Sequence, residues 1–113
     1  MKIEPLPQSR ARFGRGKVFE SARMKEYKSE VRQAARSAMK DQQPLSAALS
    51  CRIKLWRKFK ATSRRYGDAD NHAKSILDAC NGVIFADDSQ VTALTVEKYQ
   101  GTPKIEVEIT ERG

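Results

Sequence analysis

Gly67-Asp68-Ala69-Asp70-Asn71-His72-Ala73-Lys74-Ser75-Ile76-Leu77-Asp78-Ala79-Cys80-Asn81-Gly82-Val83-Ile84-Phe85-Ala86-Asp87-Asp88-Ser89-Gln90 is the stretch around which the rest of the chain is read. Ala73, Ile76, Leu77 and Cys80 recur at three- and four-residue spacing, so they share one face of a helix, and Gly82 is placed to end it in the left-handed region. Val83 to Phe85 then reads as a short buried strand. Four carboxylates bracket the helix: Asp68 and Asp70 before it, Asp87 and Asp88 after it. A helix of about ten residues is ~15 Å long. A strand running back from Gly82 would return Asp87 and Asp88 to the neighbourhood of Asp68 and Asp70, and that convergence is the expectation.

Working outward, Arg57 to Gly67 has no apolar period and is dense in cations, Arg64 and Arg65 among them, so it reads as a basic loop. Before it, Leu49, Cys51, Ile53 and Leu55 alternate with polar neighbours, the two-residue period of a strand with one buried face. Met24, Tyr27, Val31, Ala34, Ala35, Ala38 and Met39 mark a long helix from about Arg23, stopped by Asp41 to Pro44. Met1 to Pro7 fits a brief edge strand, and the Gly-containing segment Ser9 to Lys17 a mobile loop with four cations, Arg10, Arg12, Arg15 and Lys17. Beyond the acidic stretch, Val91 to Tyr99 and the alternating Ile105, Val107 and Ile109 give two more strands. The order β, α, β, α, β, β, β predicts one α+β domain over residues 1–113, a small mixed sheet with two helices packed on it.

The 113 residues carry 22 Lys and Arg against 14 Asp and Glu, a formal net charge of +8 that favours polyanionic partners. No apolar run approaches the roughly 20 residues needed to cross a bilayer, and no secretory pattern opens the chain. A cytoplasmic protein that does not engage membranes is expected. Cys51 and Cys80 sit in apolar-periodic stretches without close CxxC spacing, and read as buried reduced thiols. The single histidine, His72, excludes a histidine-rich zinc site and a Ser-His-Asp triad, and is expected at an exposed helix position. No GxxxxGK[ST] loop is present, so no nucleotide cofactor is expected.

Asp68 and Asp70 admit two roles. One is capping, in which a carboxylate accepts orphan amides at the helix start. The other is ligation: three or four converging carboxylates repel one another unless a cation lies between them, and hard oxygen donors suit Mg²⁺, with Mn²⁺ a possible substitute. Such ions polarise phosphoryl oxygens and lower the pKa of bound water. Lys74 lies four residues from both Asp70 and Asp78, which fits either a cation directed at the same site or an ordinary surface ion pair. Arg10, Arg12, Arg15, Lys17, Arg64 and Arg65 are candidates for phosphate contacts. Phe13, Trp56 and Phe59 fit either stacking on bases or packing.

At these residues the chain resembles the RusA family of Holliday-junction resolvases of bacteria and their prophages. The resemblance is carried by Asp68-Ala69-Asp70-Asn71-His72-Ala73-Lys74, by Asp78-Ala79-Cys80-Asn81-Gly82 and by Asp87-Asp88-Ser89-Gln90-Val91. The Pro- and Arg-containing segment Pro7 to Phe13 also resembles phage-type members. The resemblance implies a homodimeric, Mg²⁺-dependent endonuclease that nicks four-way junctions in paired cuts during DNA recombination and repair. It implies Asp68, Asp70 and Asp88 as metal-binding catalytic carboxylates, Asp87 as their neighbour, and Lys74 as the supporting cation. Another branched substrate, a flap or fork, and non-catalytic binding of DNA structure are the alternatives.

Overall fold

The computed structural model describes residues 1–8, 12–14 and 17–112, with the backbone alone for residues 12–14 and 17–19. Two short strands, β1 (Arg12–Gly14) and β2 (Lys17–Phe19), pair antiparallel with Phe13 opposite Val18. This hairpin replaces the loop expected there. Phe13, Val18 and Phe19 are strong strand formers, and they outweigh the glycines that suggested a mobile segment.

Helix α1 (Ala22–Met39) begins at Ser21, whose hydroxyl accepts the Met24 amide at 3.1 Å, a hydrogen-bonded N-cap. It buries Met24, Tyr27, Val31 and Ala35, four of the positions marked by the sequence periodicity. Strand β3 (Leu49–Arg57) is the centre of a three-stranded sheet, flanked by β4 (Val91–Gln100) and β5 (Lys104–Glu111). The β3–β5 pair is antiparallel, whereas β3 and β4 run parallel with Leu49 opposite Val91 and Arg57 opposite Gln100. Parallel neighbours require a crossover, and α2 (Ala69–Cys80) supplies it. The sheet is therefore mixed and the domain α+β, as expected.

The core joins Leu49, Cys51, Ile53 and Leu55 from β3 to Val31 and Ala35 from α1, and to Ala73, Ile76, Ala79 and Cys80 from α2. The helices pack on each other, and α1 also closes the far end of α2. Arg32 donates to the carbonyls of Ala79 at 3.0 Å and Asp78 at 3.4 Å, while Lys28 pairs with the Asp78 carboxylate at 3.3 Å. Cations at a helix C-terminus satisfy orphan carbonyls and complement the dipole.

Two expected strands are absent as strands. Val83 to Phe85 curls onto the end of α2, because the amides of Val83 and Ile84 both bond the Cys80 carbonyl and Gly82, at φ +80, donates to Phe85 at 2.7 Å. Phe85 is left with isolated bridges to Leu45 and Asn81. Met1 to Pro7 likewise forms no strand, although Met1 and Ile105 exchange backbone hydrogen bonds at 2.8 and 2.9 Å along β5. Pro5 and Pro7 lack the amides to extend that pairing. No helix is long and apolar enough to cross a membrane among the described residues.

Both cysteines are free and buried, and burial pushes their thiols up to about 11 for Cys51 and about 12 for Cys80. The thiolate is the reactive species. Native protein at pH 8 is therefore expected to leave both unmodified by a chromogenic disulfide reagent over minutes, and protein unfolded in guanidinium to titrate two thiols.

Candidate active site

The N-terminus of α2 lies at the C-terminal ends of the parallel strands β3 and β4, and its approach is fixed by buried polar contacts. The Tyr66 carbonyl accepts from Arg57 Nη1 and from His72 Nε2, each at 2.7 Å. A carbonyl only accepts, so Nε2 carries the ring proton. His72 is fully buried, its Nδ1 has no partner among the described residues, and burial lowers its pKa, which favours the neutral ring. The expectation of an exposed His72 is thus corrected: an imidazole with one internal acceptor is held inside the fold. Arg57 also pairs through Nε with Glu4 at 3.0 Å and lies over the Phe59 ring at 4.9 Å.

The next carbonyl, that of Gly67, accepts from Lys98 Nζ of β4 at 3.1 Å. Gly67 has φ +94, and a Cβ there would sit 2.6 Å from Pro7 Cγ and 3.0 Å from His72 Nε2. The Tyr66 hydroxyl joins the ends of β3 and β4, lying 2.8 Å from the carbonyls of both Leu55 and Tyr99 and accepting the Tyr99 amide at 3.2 Å. Side chains from β3, α2 and β4 therefore hold the two peptide groups immediately before Asp68.

Asp68 occupies the N-cap position with extended backbone, φ −73 and ψ 144, yet its carboxylate makes no capping hydrogen bond. Its backbone carbonyl alone starts the helix, through the His72 amide at 3.1 Å. Asp68, Asp70 and Lys74 are all exposed. Among the described residues Lys74 makes no ion pair, and Asp78, its other possible i,i+4 partner, is taken by Lys28. Two carboxylates and one ammonium thus project from the first turns of α2 into solvent, beside a loop that exposes Arg64 and Arg65.

Asp87 and Asp88 are elsewhere. Asp87 accepts the Ser89 amide at 3.2 Å and caps a 3-10 turn over Asp88–Gln90, and hydrogen bonds from Ser89 lower its pKa. The Gln90 side chain completes the cap by accepting the amides of Ala86 and Asp87 at 2.9 and 3.0 Å, and it donates to Leu45 and Ala47. This anchors the turn at the start of β3. Asp88 opens the turn, half-buried, at the entrance to β4. The convergence expected from the sequence does not occur within one chain. Asp68 and Asp70 lie at the N-terminal end of a 12-residue helix and Asp88 beyond its C-terminal end. Such a helix is ~18 Å long.

Among the described residues no three His, Cys, Asp or Glu side chains gather. The Asp68 and Asp70 carboxylates still fit a Mg²⁺ ion, which is commonly held by one or two carboxylates together with water and substrate phosphate. Of the basic candidates, Arg12 and Lys17 fall on the β1–β2 hairpin, whose side chains are not described, and Arg10 and Arg15 lie outside the described residues. Trp56 is engaged within the protein, stacked on Tyr99 at 5.2 Å with Lys104 Nζ 4.4 Å over its ring. The supports Arg57, Tyr66 and Lys98 were not singled out in the sequence. One signal was present: Arg57 continues the two-residue period of Leu49, Cys51, Ile53 and Leu55, which sets a cation on the inner face.

Comparison with known proteins places this chain in a family. The family model described as endodeoxyribonuclease RusA matches residues 2–110. The uncharacterized protein YqaN of Bacillus subtilis (strain 168) is 49% identical over 45 residues, 39% of this chain and 32% of the relative. The aligned segment thus spans about a third of that curated relative.

Gly67→Ala is expected to destabilise the fold, because a Cβ meets Pro7 and the left-handed backbone disfavours any L side chain. The expected loss is about 1–3 kcal/mol from the backbone conformation alone, read as a lowered urea midpoint with unchanged m-value.

Proposed function

The chain belongs to the RusA endodeoxyribonuclease family, and from that premise we propose that it is a Mg²⁺-dependent homodimer that resolves four-way DNA junctions by paired nicks. The observation that carries the reading is the state of Asp68. It stands where a capping aspartate would, its carboxylate makes no capping hydrogen bond, and Asp70 shares the same exposed turns with Lys74, which makes no ion pair among the described residues. A side-chain cap accounts for neither the free Asp68 carboxylate nor the exposed Lys74. The net charge of +8 supports the polyanionic substrate.

Asp68 and Asp70 would hold the metal, which when bound supplies Lewis-acid polarisation of the scissile phosphate and an acidified water. Lys74, on the same helical face as Asp70, offers its ammonium to the charge that builds on phosphate oxygens in the transition state. Arg64 and Arg65 contact the DNA backbone beside this turn and fix its register without reading sequence. The buried neutral His72, with Arg57 and Lys98, holds the peptide groups before Asp68, so the carboxylates present a fixed geometry to the DNA. Asp88 is the third catalytic carboxylate, and Asp87 serves chiefly to cap the turn that carries it.

Homodimerisation supports the same chemistry in two ways. A four-way junction has two-fold symmetry and needs two matched cuts, which two identical sites under one C₂ axis supply. Each chain also separates Asp88 from Asp68 and Asp70, so a second copy is the source from which a full carboxylate set can be assembled.

Purified protein incubated with labelled four-way junction, linear duplex and flap DNA, with and without Mg²⁺, tests the reading. Junction-selective cleavage that EDTA abolishes is expected; binding without cleavage at any Mg²⁺ concentration would establish the non-catalytic alternative. Asp68→Asn, Asp70→Asn and Asp88→Asn are each expected to abolish cleavage while junction binding, followed by mobility shift, is kept or tightened. Asp87→Asn should retain most activity, with its effect seen in thermal stability. Lys74→Met is expected to lower single-turnover cleavage on the order of 10²–10³-fold, the scale of one lost transition-state contact, with little change in junction affinity.

A further inference from the structure

Alternation along β3 turns Leu49, Cys51, Ile53 and Leu55 into the core shared with α1 and α2, and so turns Trp56 to the opposite face of the sheet. Cross-strand pairing sets Tyr99 of β4 and Lys104 of β5 on either side of Trp56, and the three side chains form a row across that open face. Tyr99 stacks on Trp56 with ring centroids 5.2 Å and planes 21° apart, while Lys104 Nζ lies 4.4 Å over the Trp56 ring. Gly101 packs against the indole, where a Cβ would come within 3.3 Å of Cδ1. Trp56 is thus flanked within the protein. Tyr99 is different: it is 37% exposed, and beyond it no further strand follows β4 among the described residues. Its hydroxyl donates to Glu97 at 2.7 Å, which holds the ring in place. One face of a fixed aromatic ring is backed by indole, and the other is open.

The row stands at the C-terminal ends of β3 and β4, the end of the sheet at which α2 begins. The Tyr99 amide donates to the Tyr66 hydroxyl at 3.2 Å, and Tyr66 comes two residues before Asp68. Lys58, Lys60, Arg64 and Arg65 are exposed on the segment that joins β3 to α2. The carboxylates next to the row are already paired, Glu97 with Arg52 at 3.8 Å and Glu106 with Lys104 at 3.1 Å. A flat aromatic surface with cations around it suits a nucleobase carried on a phosphate backbone. Resting on the reading above, we propose that Tyr99, backed by Trp56, is a stacking site for an unpaired base at the branch point of the DNA substrate. A base inside a linear duplex must first be unpaired and unstacked, whereas one already unpaired at a branch escapes most of that cost. The site therefore favours branched over linear DNA, a preference that phosphate contacts do not carry by themselves.

Binding measured by mobility shift in EDTA, where no cleavage intervenes, tests the site with a four-way junction and a linear duplex of the same sequence. Tyr99→Leu and Tyr99→Ala are each expected to lose roughly 5- to 100-fold in junction affinity, the scale of one base–aromatic stack, with duplex affinity unchanged. Tyr99→Phe should bind as wild type does. Leucine still covers the indole, so a loss confined to Tyr99→Ala would mark packing on Trp56 and overturn the proposal, as would an equal loss on junction and duplex. A junction carrying 5-iodouracil at its branch point reports the contact itself: irradiation is expected to couple the base to the Tyr99 peptide, and the duplex with the same substitution to leave that peptide unmodified. A wild type that cleaves junctions, with no adduct at Tyr99 and full junction affinity in Tyr99→Leu, would overturn the stacking site and leave the nuclease reading standing. An adduct and a ring-dependent junction preference in a protein that never cleaves DNA would confirm the site and overturn the nuclease reading instead.

Discussion

Parallel pairing of β3 with β4 is the constraint on which the rest of the structure depends. Two parallel strands cannot be joined by a turn, so the chain must travel back the length of the sheet before starting the second strand. α2 makes that return, with its first residue at the C-terminal ends of the strands and its last near their beginnings. Everything attached to the start of α2 is thereby set at one end of the sheet, and everything between α2 and β4 at the other. The acidic stretch is continuous in sequence and divided in space for this reason alone.

The end that holds Asp68 is rigid because its polar groups are spent inside the fold. Buried polar atoms are costly when unpaired, and here the Tyr66 and Gly67 carbonyls are satisfied by Arg57, His72 and Lys98. The same contacts bind β3, α2 and β4 to one another. Burial of His72 is consistent with that arrangement, since a neutral ring can donate to a carbonyl at little electrostatic cost. Asp68, Asp70 and Lys74 remain on the surface, and among the described residues none of them is held by an ion pair. At the other end the opposite holds: Asp87 and Gln90 turn inward to secure a 3-10 turn, and Asp88 is presented by that cap.

Charge is divided with similar economy. Lys28 and Arg32 of α1 serve the C-terminus of α2 and its Asp78, and Arg57 and Lys98 are committed to the loop before Asp68. These cations stabilise the protein itself. Arg64 and Arg65 remain exposed beside the uncapped carboxylates, a basic rim around an acidic point. Such a distribution places positive charge beside the carboxylates, which favours polyanionic partners.

The sequence by itself determined the elements whose identity depends on neighbours along the chain. The three-four spacing of α1 and α2, the alternation of β3 and β5, the left-handed Gly82 and the small α+β class are local or periodic properties, and the family followed from the motif of Asp68 to Lys74 and Asp87 to Gln90. Local reasoning failed at Val83 to Phe85, where amides bond back to Cys80 instead of extending, and at the β1–β2 hairpin, where strand formers outweighed glycine. Only the tertiary structure decided that His72 is inside, since its acceptor, the Tyr66 carbonyl, becomes its neighbour through the left-handed turn at Gly67. Only the tertiary structure, too, decided that Asp88 is remote from Asp68. Whether β4 lies parallel or antiparallel to β3 is a choice between distant partners, which no periodicity within either strand encodes, and that choice sets the two ends of the acidic stretch apart.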